Sequence, residues 1–194
     1  PFGHMVVDIG GGTTDVAVTS LGGIVASASV KCGGNLFDSS IVRYYSEYYK
    51  LLIGERSAEA LKLEYANAFW PSAEEAGTVK GRSLINGMPA SAPVSEADIY
   101  NAIGEDLSRI VETVLSVFES TPPELIGDIY EDGILIAGGG ALIRGIDMYI
   151  YRETGVKCRI AQDPLGCVAR GTSRAFHLRD QLRNGFERIS VFSS

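Results

Sequence analysis

Apolar positions along this chain alternate between two spacings, every second residue and every third or fourth, and the switches mark its elements. Val6-Val7-Asp8-Ile9 is a short apolar run that stops at Gly10-Gly11-Gly12. It resumes at Thr14 as Asp-Val-Ala-Val-Thr with period two, turns at Gly22-Gly23, and resumes again with Ile24, Ala26, Ala28 and Val30 alternating with serines. The pattern predicts three consecutive antiparallel strands joined by glycine turns. Asn35, with Asp38 three residues on, reads as the cap of a helix carrying Phe37, Ile41, Tyr45 and Tyr48 at helical spacing. Tyr44, Tyr45, Tyr48 and Tyr49 lack interleaved basic residues, so they read as core with one wet face rather than as a base-stacking platform.

Between residues 50 and 94 the character changes. A short helix over Ser57–Asn67, a loop rich in Pro, Ser, Ala and Glu, and weak strands near Thr78–Leu84 and Ala90–Val94 read as a small inserted subdomain. Ser95 with Asp98 resembles a capping box. It opens the longest helix, with the stripe Ile99, Ile103, Leu107, Ile110, Val114 and Phe118. Gly104 inside that helix predicts close packing, because glycine there costs up to about 1 kcal/mol against alanine. Pro122-Pro123 ends the helix and starts a short one. Gly133–Ala137 reads as a buried strand, followed by Gly138-Gly139-Gly140, a helix near Ile146–Arg152, a strand at Val156–Ile160, a turn at Asp163-Pro164 and a last helix over Cys167–Leu182. Strands hairpinned first and alternating with helices later indicate a mixed-sheet α/β domain, with residues 6–49 and 95–182 as its core and 183–194 as a tail. Pro-Phe-Gly-His-Met at residues 1–5 reads as a cloning remnant outside the fold.

Composition narrows the function. The 194 residues are 45% hydrophobic and 21% charged, a globular balance, and the net charge of -7 argues against a nucleic-acid partner. It leaves phosphate ligands open, since backbone N–H groups bind phosphate without lysines. Cys32, Cys158 and Cys167 are odd in number and widely spaced, with only His4 and His177 to assist them, so they read as reduced thiols of a cytosolic protein rather than disulfide or zinc ligands. The longest apolar run, Gly133 to Ile143, is broken by glycines, and no span of a bilayer is expected.

Two glycine clusters carry candidate chemistry. Asp8-Ile-Gly-Gly-Gly-Thr-Thr-Asp15 lies between two strands and lacks the Lys and following helix of a P-loop. Without Cβ atoms, Gly10, Gly11 and Gly12 let backbone N–H groups approach a phosphate, and Thr13 and Thr14 add hydroxyls. Asp8 can hold Mg²⁺ through waters, and Asp15 can orient a water at a terminal phosphate. The bland alternative is a tight hairpin with solvated acids, although plain hairpins need fewer glycines. Gly138-Gly139-Gly140-Ala141-Leu142 follows a strand, and its small residues let a flat base or ribose lie on the backbone; alone, close strand–helix packing explains it equally well. Both clusters in one chain suggest two walls of one nucleotide cleft. Glu59 and Lys62, three apart on one helix, read first as a surface ion pair.

The two clusters resemble the second phosphate motif and the adenosine motif of the actin, sugar-kinase and heat-shock-chaperone superfamily. Leu52-Ile-Gly-Glu-Arg-Ser-Ala-Glu59, Val79-Lys-Gly-Arg82, Thr121-Pro-Pro-Glu-Leu125 and Asp163-Pro-Leu165 through Gly171 narrow the resemblance to the MreB group of bacterial actins, over Val6 to about Phe176. The resemblance implies the second of two actin-like domains: an RNase-H-like ATPase fold, a mixed sheet with helices on both faces and a small inserted α+β subdomain. It implies ATP or ADP with Mg²⁺ as cofactors. Gly11, Gly12 and Thr13 would touch phosphates, Asp8 would face the metal, and Gly33, Gly34 and Asn35 would lie near ribose and phosphates. Glu59 and Lys62 would flank the adenosine, and Gly139, Gly140, Ala141 and Leu142 would form its floor. Asp15 stands where the group carries Glu, and Asn35 where it carries Asp. The group polymerises with ATP into filaments governing cell shape, in the cytoplasm at the inner membrane face, with partners such as RodZ. A first phosphate hairpin is lacking here, so one wall alone implies weak ATP binding and little hydrolysis. An FtsA-like division scaffold and a sugar- or acetate-kinase fragment are the alternatives.

Overall fold

A computed structural model describes residues 2–177; the expected end of the last helix at Leu182 and the tail at 183–194 lie outside the described residues. Strands β1 (His4–Ile9), β2 (Thr14–Ser20) and β3 (Gly23–Val30) form the antiparallel meander that the period-two runs predict. Strands β7 (Ile134–Ala137) and β8 (Cys158–Ile160) join it in parallel, giving a five-stranded mixed sheet in the order β3-β2-β1-β7-β8. Met5, Val7 and Ile9 of β1 and Val16 and Val18 of β2 are buried, whereas the alternate residues Val6, Asp8 and Ala17 are half-buried. Helix α3 (Glu96–Ser120) packs on β2 and β3, and helix α1 (Gly34–Tyr48) packs against α3 in turn. Helix α4 (Pro123–Asp132) packs against β1 and helix α5 (Ile146–Thr154) against β8; helix α6 (Cys167–His177) follows.

Residues 50–94 form strand β4 (Leu51–Leu52), helix α2 (Glu55–Tyr65) and strands β5 (Gly77–Ser83) and β6 (Pro89–Val94), with the three strands in a separate antiparallel sheet. Its apolar residues Leu51, Ile53, Val79 and Ala92 belong to the same buried cluster as the main sheet.

Several expectations are corrected. His4 and Met5 are not outside the fold: β1 begins at His4, and Met5 is buried and pairs with Val18 and Ile134. Asn35 does not cap α1. Gly33 occupies the N-cap without a side-chain bond, and Asn35 lies in the first turn. Tyr48 is 71% exposed, off the buried stripe of Phe37, Ile41 and Tyr45. A Cβ at Gly104 would meet nothing within 4 Å, so no close packing explains that glycine.

The expected capping box forms and does more than cap. Asp98 Oδ2 accepts from Ser95 N at 2.9 Å, and Ser95 Oγ accepts from Asp98 N at 3.1 Å. The other carboxylate oxygen accepts from Tyr44 and Tyr49 hydroxyls, each at 3.0 Å, which ties the end of α1 to the start of α3. Burial, and then that bond to Asp98, push the Tyr44 hydroxyl up to about 12.

Glu96, the first residue of α3, joins the insert to the core. Its carboxylate accepts from Asn67 Nδ2 at 2.8 Å and Ser72 N at 3.1 Å, and pairs with Arg144 Nη1 at 2.7 Å. The Ser72 amide, followed by Asn67 and Arg144, holds the Glu96 carboxyl below the usual glutamate range against the opposing effect of burial. A carboxylate at a helix N-terminus is favoured in addition by the helix dipole.

Two outcomes are expected. Gly104→Ala raises stability by about 0.5–1 kcal/mol, since it adds helix propensity without a clash, and a urea or thermal melt reads it directly. The folded state lowers the Glu96 pKa, so its stabilisation is fully present above the unfolded value and fades as pH falls through the folded one. The difference in urea midpoint between the wild type and Glu96→Gln is therefore constant from neutral pH to the usual glutamate range and shrinks in more acid solution.

Candidate functional site

The hairpin between β1 and β2 closes with Gly10 N donating to Thr13 O at 2.9 Å. Its other carbonyls point at the start of α1: Gly34 N donates to Gly10 O at 3.0 Å and Asn35 N to Gly11 O at 2.8 Å. The chain approaches so closely at Gly33 that a Cβ there would lie 2.5 Å from Gly10 O. A side chain at Gly33 would force the two loops apart.

The second glycine cluster lies against the end of β1. Gly138 has φ 82 and ψ 173, a region essentially confined to glycine, and a Cβ there would stand 2.3 Å from Ile9 O and 2.4 Å from Asp8 Oδ1. At Gly140 a Cβ would meet Ile9 Cγ2 at 2.2 Å. Gly139–Leu142 forms a single 3₁₀ turn before the loop to α5 rather than running straight into a helix. Gly138 N donates to Pro164 O at 2.8 Å, which anchors the turn that presents Leu165.

The third wall is α2. Lys62 Nζ donates to Gly34 O at 3.0 Å and to Asp38 Oδ2 at 2.9 Å, so its charge is paired across to α1 and not with Glu59 as the surface-pair reading has it. Between the three walls lies a cleft of about 700 Å³. Of the residues singled out from sequence, Gly10, Gly11, Gly34, Asn35, Glu59, Lys62, Gly139, Gly140 and Leu142 line it. Leu142 is 55% exposed and offers an apolar surface there.

The remaining ones lie elsewhere. Gly12 and Thr13 are exposed outside the cleft lining, and Gly33 and Ala141 are buried behind it. Thr14 is fully buried and its hydroxyl donates to Cys32 O at 2.8 Å, so it braces the hairpin rather than offering a phosphate donor. Asp8 and Asp15 face each other in the β1–β2 register, and Thr13 Oγ1 donates to Asp15 Oδ2 at 3.0 Å. Burial, and then the facing Asp15 charge, push the Asp8 carboxyl above the usual carboxylate range. Like charges directly opposite on a ladder repel, and a divalent cation would relieve that repulsion. Among the described residues no group of three or more His, Cys, Asp or Glu side chains forms a protein-only metal site.

The structure adds Asp38, Leu63, Arg144 and Leu165 to the lining. Asp38 was legible as a residue one turn from Asn35, and Arg144 closes the second glycine motif, although its role comes from partners remote in sequence. All three cysteines are free thiols, and among the described residues no helix is long and apolar enough to cross a membrane.

The family model described as MreB/Mbl protein matches residues 1–184, which again includes the first five. The cell shape-determining protein Mbl of Bacillus subtilis (strain 168) is 43% identical over 182 residues, 94% of this chain and 55% of that protein. Among solved structures, MreB5 of Spiroplasma citri bound to ADP superposes with a TM-score of 0.87 at 40% identity, covering 95% of this chain and 56% of the other. A MamK double helical filament gives a TM-score of 0.74 at 25% identity over 90% of this chain and 54% of the other. The chain thus spans about half the length of the relatives it matches. Sequence and structure agree in one conclusion: the chain belongs to the MreB/Mbl family, whose fold is actin-like.

Proposed function

We propose that this chain is the nucleotide-binding half of an actin-like filament protein that takes ATP or ADP in the cleft between the two glycine clusters and α2. The observation that carries the reading is the convergence of Gly10, Gly11, Gly34, Asn35, Gly139, Gly140 and Leu142 on one cleft of about 700 Å³. A space of that size suits a small-molecule ligand. It combines a glycine hairpin for phosphates with an apolar, small-residue floor for a base. The ADP bound in the Spiroplasma citri MreB5 structure supports the same ligand class here.

In this reading Gly10, Gly11 and Gly12 with Thr13 meet the phosphates, Gly34 and Asn35 border the ribose and phosphates, and Glu59 and Lys62 flank the adenosine on its Gly139–Leu142 floor. Asp8 would hold Mg²⁺ through waters, and the bound ion would neutralise phosphate charge and relieve the repulsion between Asp8 and the facing Asp15. Asp15 orients a water for hydrolysis. The MamK filament supports self-association of the whole protein into filaments. For the whole protein we extend the proposal to a cell-shape role at the inner membrane face with morphogenesis partners such as RodZ; the naming of the Bacillus subtilis relative as cell shape-determining supports the first part of that reading.

Gly11→Asp tests the cleft. A Cβ at Gly11 would meet only Asn35 Oδ1, at 3.7 Å, so the variant folds, but its carboxylate faces the phosphates. Titration of a fluorescent ATP analogue is expected to saturate for the wild type and to weaken at least about tenfold for the variant through like-charge repulsion. Equal affinity in both would reject the cleft as the phosphate site. Steady ATP hydrolysis by the chain alone is expected to stay at background, because positioning and electrostatic stabilisation of the terminal phosphate need donors from both sides. Turnover in a coupled phosphate-release assay would overturn that expectation.

A further inference from the structure

Arg144 joins three segments at the back of the cleft. Its Nη1 pairs with Glu96 Oε1 at 2.7 Å, and its Nη2 donates to Glu64 O at 3.1 Å, in the last turn of α2. Its own carbonyl accepts from Ala68 N at 2.8 Å, and the residue bridges in parallel with Asn67. Glu96 in turn accepts from Asn67 Nδ2 and Ser72 N. The side chain is 54% exposed where it lines the cleft, so the hydrogen bonds rather than burial hold it.

The geometry has a direct consequence. The cleft has one wall on α2 and its floor on Gly139–Leu142, two segments remote in sequence. At the front, Lys62 ties α2 to α1 through Asp38 and Gly34 O. At the back, the planar guanidinium of Arg144 spans an α2 carbonyl and an α3 carboxylate at once, which a point-charge ammonium does not do with the same geometry. We infer that Arg144 is a positioning residue: by holding Glu64 O and Glu96 together it sets the separation of the α2 wall from the floor. Arg144 contributes this spacing and not a contact with phosphate. Its effect on ligand affinity rests on the nucleotide reading proposed above.

The test uses Arg144→Met, Arg144→Lys and the wild type. Because the side chain is largely exposed, all three fold, which thermal melts check. Amide exchange without ligand reads the spacing: Arg144→Met is expected to speed exchange at Ala66, Ala68 and Phe69, with no change at β5 and β6, and Arg144→Lys to lie between. Calorimetric titration reads the consequence: ATP and ADP affinities are expected to fall by the same factor, about five- to tenfold, in Arg144→Met, with partial recovery in Arg144→Lys. Unchanged local exchange would overturn the inference whatever the affinities. A loss confined to ATP would overturn it too, by marking a direct contact with the terminal phosphate. If the wild type binds no nucleotide while Arg144→Met still loosens residues 66–69, the positioning role stands and the nucleotide reading fails.

Discussion

Three chain segments meet at the end of β1 at distances that no side chain tolerates. Gly33 lies against the hairpin carbonyls, and Gly138 and Gly140 lie against Ile9. Each absent Cβ would stand 2.5 Å or less from a heavy atom of the neighbouring segment. The contacts bring the start of α1, the hairpin and the 3₁₀ turn into one layer. Backbone amides of α1 are spent on hairpin carbonyls, so the hairpin is braced from behind by Gly34 and Asn35 and by the buried Thr14 hydroxyl. The cleft follows from that packing: its phosphate side and its floor adjoin because both are pressed onto the last residues of the same strand.

The insert is held differently. Its apolar residues merge with the main core, yet its position beside the cleft depends on polar contacts at the two sides of α2, Lys62 to Asp38 in front and Arg144 to Glu96 behind. Partly exposed ion pairs of this kind contribute modestly to stability. They specify geometry more than they add free energy, and they leave the wall of the cleft adjustable relative to its floor. A rigid glycine-packed floor facing a wall held by charges suits a protein whose ligand is expected to alter the arrangement of its parts.

Much of this was legible in the residues. Period-two runs broken by glycines mark β1 to β3, Ser95 with Asp98 marks the start of α3, and the two glycine clusters mark the two sides of the cleft. These features are local, and local chemistry determines them. What was illegible arises from contacts far apart in sequence. Gly33 rather than Asn35 caps α1 because the hairpin carbonyls supply the partners a capping side chain would otherwise provide. Thr14 turns inward because strand alternation places it on the buried face with Val16 and Val18. Met5 belongs to the core because β7 lies alongside β1, a pairing that residues 1–5 do not announce. Arg144 acquires its role from Glu64 and Glu96, partners that lie far from it in sequence.

The central claim is that the glycine-packed layer at the end of β1 is one side of a nucleotide site. Backbone amide chemical-shift mapping of the chain during titration with Mg²⁺-ADP tests it most directly. The account predicts saturable shifts at Gly10, Gly11, Gly34, Asn35 and Gly139 through Leu142, with β5 and β6 unmoved. Absent shifts at saturating ligand, or shifts clustered away from those residues, would contradict it.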